Sequence, residues 1–256
     1  MSKASKVVGS GLLAGMLLVG PAAVNAADVT IGADVASSYV WRGITINEDA
    51  VIQPSVLVEH DSGFALEVWA NFDLGDDDGA FAERQFSEIN FDISYTLDLD
   101  VASVTLGYIE YMFPGYGDAA VSEDGDVSVV AAADRDIYVS LGTDVEGLGL
   151  SLTLYQNVAA SDATYIVLAA DYGYEVIDDL TLGINGSIAW GGKGATASGK
   201  DGMHDYLIGL TADYAVLDGL DVGLFANYVG SLDTDVLPSE AVREDFVFGA
   251  GVYYTF

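Results

Sequence analysis

The chain has no cysteine, few basic residues and no long apolar run beyond its N-terminal region. The absence of cysteine excludes a disulfide framework and thiol chemistry. Only 8 residues are Lys or Arg, against 40 Asp and Glu, and the formal net charge is −32. Contact with nucleic-acid phosphates requires a basic surface, so this charge excludes nucleic acid as a partner. No later stretch approaches the roughly 18 apolar residues of a membrane-spanning helix.

The first 26 residues have the features of a secretory signal peptide. Lys3 and Lys6 precede an apolar stretch over 7–20, and small residues at 24–26 suit cleavage. We therefore predict a cleaved signal peptide over 1–26 and one barrel domain over 27–256. Hydrophobic residues make up 51% of the chain, which is high for a soluble exported protein. An exported soluble β domain is the alternative.

The rest of the chain alternates between apolar and polar or small residues, as strands with two different faces do. Twelve such segments are about as long as the 9–11 tilted residues that cross a bilayer, and an even strand number is typical of bacterial barrels. The sequence thus predicts an all-β fold, an antiparallel transmembrane β-barrel of about 12 strands. The predicted strands span 29–42, 51–60, 64–74, 85–97, 102–112, 136–144, 148–158, 164–172, 180–190, 204–214, 220–229 and 246–256.

The connections alternate between compact turns and mostly longer loops. The compact turns fall on the side of both mature termini, which predicts that this side is periplasmic and that the loops are extracellular. Outward-facing aromatic residues cluster at two depths, as expected for two headgroup levels. Those predicted near the loops are Tyr39, Trp41, Phe72, Trp190, Tyr206 and Tyr228. Those near the turns are Phe64, Tyr95, Tyr172, Tyr214 and Phe256.

All six basic residues of the mature chain fall at the predicted loop side. These are Arg42, Arg84, Arg135, Lys193, Lys200 and Arg243. They suit either contact with lipopolysaccharide phosphates or neutralisation of acidic loop neighbours.

Strand alternation places the side chain of Glu110 on the face of the barrel that contacts lipid. A charge on this face is costly near the middle of the bilayer. We therefore expect it at the outer end of its strand or after a bulge.

Several short motifs resemble a known family. Ser37 to Ile44 reads SSYVWRGI, is followed by Gln53-Pro54-Ser55, and Gly107 to Gly115 reads GYIEYMFPG. These segments resemble the TorF-like porin family of bacterial outer-membrane β-barrel proteins. The resemblance implies a barrel in the outer membrane of a Gram-negative bacterium and a pore. It also implies that terminal Phe256 acts as an assembly signal for the barrel assembly machinery.

The sequence offers little for catalysis or for a cofactor. The only histidines are His60 and His204, predicted at opposite ends of the barrel, and His204-Asp205 has no nucleophile motif beside it. A surface or interfacial histidine is expected. The acidic stretches 76–79 and 123–126 resemble calcium loops but lack the EF-hand ligand pattern, which leaves weak divalent-cation binding open. We predict no catalytic residues, no specific metal site and no enzyme.

Function is therefore expected to depend on the barrel lumen. The predicted pore-lining residues are Asp34, Arg42, Glu67, Asp73, Glu88, Asp92, Asp136 and Asp171. Acidic linings favour cations in channels. Inward aromatic residues could narrow the lumen, and the connection over 113–135 either folds inward or forms an external binding surface. The predicted inward aromatic residues are Trp69, Phe86, Tyr138, Tyr155 and Phe225.

Two functional interpretations follow. The first is a porin-like channel for passive, cation-preferring passage of small solutes. The second is a non-conducting structural or surface-interaction barrel that presents acidic extracellular loops. Under either interpretation, the partners of the protein would include outer-membrane lipid and lipopolysaccharide. The sequence does not determine its oligomeric state.

Overall fold

The computed structural model describes residues 27–75, 84–114, 120–121, 127–128, 133–159 and 161–256. The predicted signal peptide and both calcium-like stretches lie outside these ranges, as does most of the connection over 113–135. Within the described ranges, no helix is long and apolar enough to span a membrane.

Twelve long strands form a closed antiparallel barrel, which confirms the predicted fold. The barrel strands are β1 (Ala27–Ala36), β4 (Val51–His60), β5 (Phe64–Asp73), β6 (Phe86–Asp98), β7 (Ser103–Met112), β10 (Ala133–Val145), β11 (Leu148–Asn157), β12 (Thr164–Ile177), β13 (Leu180–Gly191), β14 (Gly202–Leu217), β15 (Leu220–Ser231) and β16 (Phe246–Thr255). The shorter elements are β2 (Tyr39–Trp41), β3 (Ile44–Asn47), β8 (Ala120–Val121), β9 (Val127–Ser128) and a 3₁₀ turn at Ser239–Ala241.

Pairing between β1 and β16 closes the barrel. The register matches Thr30 with Thr255 and Ala36 with Gly249, while the other edge of β1 pairs with β4. The backbone groups of Val29 and Phe256 exchange two hydrogen bonds of 3.1 and 3.0 Å. Closure leaves no unpaired strand edge in the wall, and this is the condition under which strands can span lipid.

The two faces of the wall follow the predicted alternation. Ile31, Leu106 and Leu224 project outward, and Leu224 is 62% exposed. Many inward residues of the same strands are small or polar, although Ile109, Phe225 and Val229 form apolar clusters inside. Hydroxyl pairs such as Thr96 with Thr105 bond across neighbouring strands at 2.8 Å. The apolar outer surface and the largely polar interior are the inverse of the arrangement in a soluble protein.

One segment predicted to be part of the wall folds into the barrel instead. The strand predicted over 29–42 ends at Ala36, and β2 and β3 then form a separate hairpin. The placement of Tyr39 and Trp41 in the outer aromatic belt was therefore wrong. Arg42 does lie near the loop end, as predicted, but it points into the lumen toward Asp136, near the loop-side end of β10. Tyr39 and Val40 are almost completely buried, because these side chains pack on inward residues of the wall.

A β-bulge changes the direction of another aromatic residue. Asn71 pairs with Glu88, but Phe72 pairs with Phe86, so Ser87 is the extra residue in β6. The bulge turns both Ser87 and Glu88 inward and places Phe86 outside, where its ring lies 5.2 Å from that of Phe72. The prediction that Phe86 points inward was wrong because a bulge shifts strand parity by one residue.

Glu110 lies on the outer face near the loop end of β7, without a register shift in either neighbouring ladder. Arg135 of β10 pairs directly opposite it, and its Nε atom donates to the carboxylate at 3.0 and 3.1 Å. The Tyr108 hydroxyl donates to the same carboxylate. Of the two expected explanations, position at the outer end of the strand is the one observed.

Candidate functional site: the hairpin inside the barrel

The β2–β3 hairpin turns sharply at Arg42 and Gly43. Trp41 pairs with Ile44, and the two central residues have φ values of 47° and 75°. Two successive positive φ values define a type I′ turn, whose twist suits a tight hairpin. Glycine adopts this conformation readily, whereas a residue such as arginine is held there at a cost of about 1–3 kcal/mol.

The turn inserts the Arg42 guanidinium into a cage of one carboxylate and three aromatic rings. Its Nη2 atom donates to Asp136 Oδ2 at 2.7 Å, and only 12% of the Arg42 side chain and 3% of the Asp136 side chain are exposed. The guanidinium carbon lies 4.4 Å from the ring centroid of Trp41, 4.8 Å from that of Tyr155 and 4.6 Å from that of Tyr165. A buried charge needs such compensation, because removal from water costs several kcal/mol.

Asp136 is fixed by neighbours other than Arg42. The Tyr111 hydroxyl donates to Oδ2 at 3.3 Å, and Asn157 Nδ2 donates to Oδ1 at 3.1 Å. Arginine is protonated at physiological pH, and the Asp136 carboxylate at 2.7 Å compensates for the burial of its charge. The guanidinium therefore stays charged inside the barrel.

The hairpin reaches across the interior to the far wall. It is attached to β1 and β4, and β12, which carries Tyr165, lies about halfway around the ring from them. On the nearer side, the Tyr39 hydroxyl donates to Glu88 Oε2 at 2.9 Å, and the Tyr39 ring packs 5.6 Å from that of Trp69. The hairpin thus contacts opposite sides of the lumen and narrows it.

Loops at the same end of the barrel hold the base of the hairpin. The Thr45 hydroxyl accepts hydrogen bonds from the backbone N–H groups of Arg243 and Glu244, both at 2.9 Å. The Arg243 guanidinium also forms an ion pair with Glu48. These contacts join segments almost 200 residues apart and fix the hairpin independently of the Arg42 cage.

Gly43 permits a close approach to β14. A Cβ atom at this position would lie 2.6 Å from Asp205 Cβ and 2.8 Å from Leu237 Cδ2. Any larger residue would push the hairpin away from the wall. Glycine therefore serves both the positive φ and the contact.

His204 and Asp205 both point inward beside this contact. Ile188 pairs with Tyr206 and Trp190 with Met203, so two residues of β14 face Ala189 at a bulge. His204 is completely buried, its Nδ1 atom lies 2.7 Å from Asp205 Oδ1, and the Tyr165 hydroxyl donates to the same oxygen at 2.8 Å. The expectation of a surface or interfacial His204 was wrong, because the bulge brings it to the inner face.

Four of the predicted lining carboxylates lie on the inner wall away from the hairpin. Glu67 and Asp92 are cross-strand partners on β5 and β6. The Tyr138 hydroxyl lies 3.1 and 3.2 Å from the two oxygens of Asp92, and the Tyr253 hydroxyl donates to Asp34. Asp171 is opposite Gly149 and Asn185.

Asp73 belongs to a separate network near the loop end. Gln53 Nε2 donates to Asn71 Oδ1 at 2.9 Å, and Asn71 Nδ2 donates to Asp73 Oδ1 at 2.8 Å. Ser87, the bulge residue, donates to the same Asp73 oxygen at 3.2 Å. This chain of side chains joins β4, β5 and β6 on the inner face.

The eight predicted lining residues thus form no single ring. The structure brings Arg42 together with Asp136, and Glu67 together with Asp92. Sequence reasoning placed Tyr138 and Tyr155 inside the barrel, but it did not identify tyrosines or Asn157 as partners of these carboxylates. The apolar residues on both sides of Arg42-Gly43 were an available sign of a hairpin turn, although Asn-Gly is the commoner pair.

Three other basic residues at the loop end contact acidic partners. Lys200 Nζ lies 3.8 Å from Asp235, Arg243 pairs with Glu48 and Arg135 with Glu110. Among the residues described, no three His, Asp or Glu side chains form a group able to hold a metal ion. The assembly role predicted for Phe256 stays a prediction; its ring is exposed and stacks on Tyr254.

Comparison with solved structures finds the same fold in porins. The KdgM porin is 12% identical, with a TM-score of 0.53, over 90% of this chain and 99% of that chain. The NanC porin is 13% identical, with a TM-score of 0.52, over 90% of this chain and 100% of that chain. At these identities the similarity shows a shared fold.

Sequence comparisons identify a family without a described activity. No curated protein matches the chain significantly. The narrower resemblance to TorF-like porins stays a prediction. One family matches residues 22–247, which is most of the chain. The chain therefore belongs to the family described as "Bacterial protein of unknown function (Gcw_chp)".

Proposed function

We propose that this protein is an outer-membrane channel for the passive, cation-preferring passage of small solutes. The observation that carries the proposal is a closed barrel with an apolar outer face and inward carboxylates. Such a wall needs lipid, or a detergent that replaces lipid, around its apolar outer face, and its interior provides the path. The shared fold with porins and the bacterial family support the outer membrane as its location, with the short turns in the periplasm.

Cation preference follows from the charges inside the wall. Asp34, Glu67, Asp92 and Asp171 face inward, and Arg42 is the cation that opposes them, neutralised by Asp136. A low-dielectric wall focuses the field of these carboxylates on the interior, which attracts cations and repels anions. No step of passage requires a chemical reaction, so the proposal needs no catalytic residue.

Conductance of the refolded protein in a planar bilayer tests the proposal. A reversal potential measured across a salt gradient should show cation preference. Asp34→Asn, Glu67→Gln and Asp92→Asn should each lower that preference, because each removes a negative charge from the interior. Arg42→Ala should raise it by removing a positive charge.

Asp61→Asn serves as the matched control, since Asp61 is exposed in the turn between β4 and β5. It removes the same charge outside the lumen and should leave the reversal potential unchanged. A reversal potential that indicates anion preference would contradict the proposed selectivity. Absence of conductance would contradict the channel itself.

A non-conducting structural or surface-interaction barrel is the second candidate. The hairpin favours it, because the hairpin contacts opposite walls and fills part of the lumen. Conductance measured before and after replacement of residues 38–49 by a short Gly-Ser linker distinguishes the two candidate functions. Conductance in the native protein supports the channel, whereas conductance only after the replacement supports a barrel kept closed by its hairpin.

A further inference from the structure

We propose that the cage around Arg42 is a binding site for small guanidinium-bearing cations, which the chain's own arginine fills. Asp136 and the rings of Trp41, Tyr155 and Tyr165 form this Arg42 cage. Arg42 then acts as an internal competitor, and a free cation that takes its place displaces only the Arg42 side chain, while Trp41 and the rest of the hairpin stay in position. The site exists whether or not the barrel conducts; only its effect on passage rests on the proposed function.

The chemistry of the cage matches a planar organic cation better than a metal ion. One carboxylate provides a single charged acceptor, and aromatic faces at 4.4 to 4.8 Å replace the remaining water around the cation. Weakly hydrated guanidinium groups gain from such rings, whereas small inorganic cations keep their water. Asp136 stays in place without Arg42, because Tyr111 and Asn157 hold it.

Positive φ alone does not single out position 42, because five other described non-glycine residues, such as Arg84 and Glu146, also have it. What distinguishes Arg42 is that its guanidinium is buried in the cage. Its φ of 47° favours glycine or asparagine, yet arginine is present. A residue keeps a strained backbone conformation only where contacts with its surroundings hold it there, and such residues are frequent at ligand sites and switches. Here the surrounding contacts are those of the guanidinium.

A free cation competes with a tethered one at a disadvantage. Short tethers give effective concentrations on the order of millimolar, and the Thr45 and Glu48 contacts keep the tether in position. The native protein should therefore bind free guanidinium ion weakly. A variant without the Arg42 side chain should bind it well, because the cage is empty and the turn is relaxed.

The decisive experiment titrates the refolded Arg42→Gly variant with guanidinium chloride at millimolar concentration. Glycine suits the positive φ, so the turn should form; Arg42→Asn provides a second variant if folding fails. Tryptophan fluorescence is the readout, since Trp41 lines the cage and the chain has only 3 tryptophans. We expect saturable binding, at least about tenfold tighter than to the native protein, and no response to equal sodium chloride.

Arg42→Gly combined with Asp136→Asn is the matched control, because it keeps the shape of the cage and removes its charge. Affinity should fall by at least about tenfold. Equal binding by the single and double variants, or no saturable binding by Arg42→Gly, would overturn the site. Fluorescence requires no conductance, so loss of the channel and loss of the site are separate outcomes.

In planar bilayers, guanidinium should block the current through the Arg42→Gly variant at the concentration that saturates the fluorescence change.

Discussion

At the scale of single residues, tyrosine hydroxyls and carboxylates pair repeatedly inside this barrel. Five such pairs join different strands or join the hairpin to the wall: Tyr39 with Glu88, Tyr111 with Asp136, Tyr138 with Asp92, Tyr165 with Asp205, and Tyr253 with Asp34. A hydrogen bond to an ionised acceptor is stronger than one between neutral groups. The pairs therefore let an interior rich in carboxylates pack closely.

Tyr39→Phe tests this role because it removes one hydroxyl and keeps the ring. Glu88 loses a donor in a buried position, and we expect a loss of about 1–3 kcal/mol in the free energy of unfolding. Urea unfolding of the refolded barrel measures it. Tyr174→Phe is the control, since Tyr174 is exposed on the outer face, and a change within about 0.5 kcal/mol is expected there. Equal losses would contradict the role of the Tyr39 hydroxyl.

Strand parity predicted which carboxylates face inward but not their partners. Asp34 and Asp92 lie where alternation places them, because the period of two is a property of any strand. Their tyrosines lie 219 and 46 residues away along the chain. Such pairs depend on the register of the closed barrel, which a single alternating segment does not contain.

At the scale of elements, the hairpin shows that an alternating pattern can continue beyond the strand that lies in the wall. Tyr39 and Trp41 continue the pattern of β1, and their rings suit a membrane interface as well as a buried contact. The carboxylate and aromatic partners on the far wall decide between these positions. Bulges have a similar effect, since Ser87 in β6 and the His204-Asp205 pair in β14 change which residues face inward.

Some glycines in the wall leave room for an aromatic ring on the neighbouring strand. A Cβ atom on Gly107 of β7 would lie 2.2 Å from the Tyr138 ring on β10, directly opposite in the register. Gly107→Ala should therefore displace the ring, weaken its contact with Asp92 and cost about 1–3 kcal/mol of unfolding free energy, as overpacking does.

Gly142→Ala in β10 is the matched control. A Cβ atom there would meet only the Ser103 hydroxyl, at 2.7 Å, and that small side chain can rotate away. We expect its midpoint in urea to stay close to that of the native protein. A loss as large as that of Gly107→Ala would show that these strands tolerate no added methyl group, whatever its neighbours.

At the scale of the whole molecule, the architecture was the most predictable feature. Alternation, short turns on one side and longer connections on the other all follow from crossing a bilayer with paired strands. The bounds of β4, Val51–His60, match the predicted strand, whereas β12 and β14 continue beyond the predicted ends, past register irregularities near Glu175 and Ala215. The interior was less predictable, because it depends on where one connection folds.

Resistance to detergent should follow from closure. Every barrel strand pairs on both sides, so no strand can leave without breaking two ladders. We expect the refolded protein to migrate as a compact species in SDS without heating and as an expanded chain after boiling. Val35→Pro, in the β1 ladder between Ile52 and Ala250, should lower the temperature at which the compact species disappears. Identical migration before and after heating of the native protein would contradict this expectation.

The pairing of β1 with β16 also governs the timing of folding. Thr30 and Thr255 bond across 225 residues of sequence, so forming this seam costs far more loop-closure entropy than forming any hairpin between consecutive strands. Until the seam forms, the open sheet presents apolar faces and two unpaired edges to any neighbouring chain. A chain without β16 would not form a smaller barrel; it would stay open at β1 and β15 and be prone to aggregate.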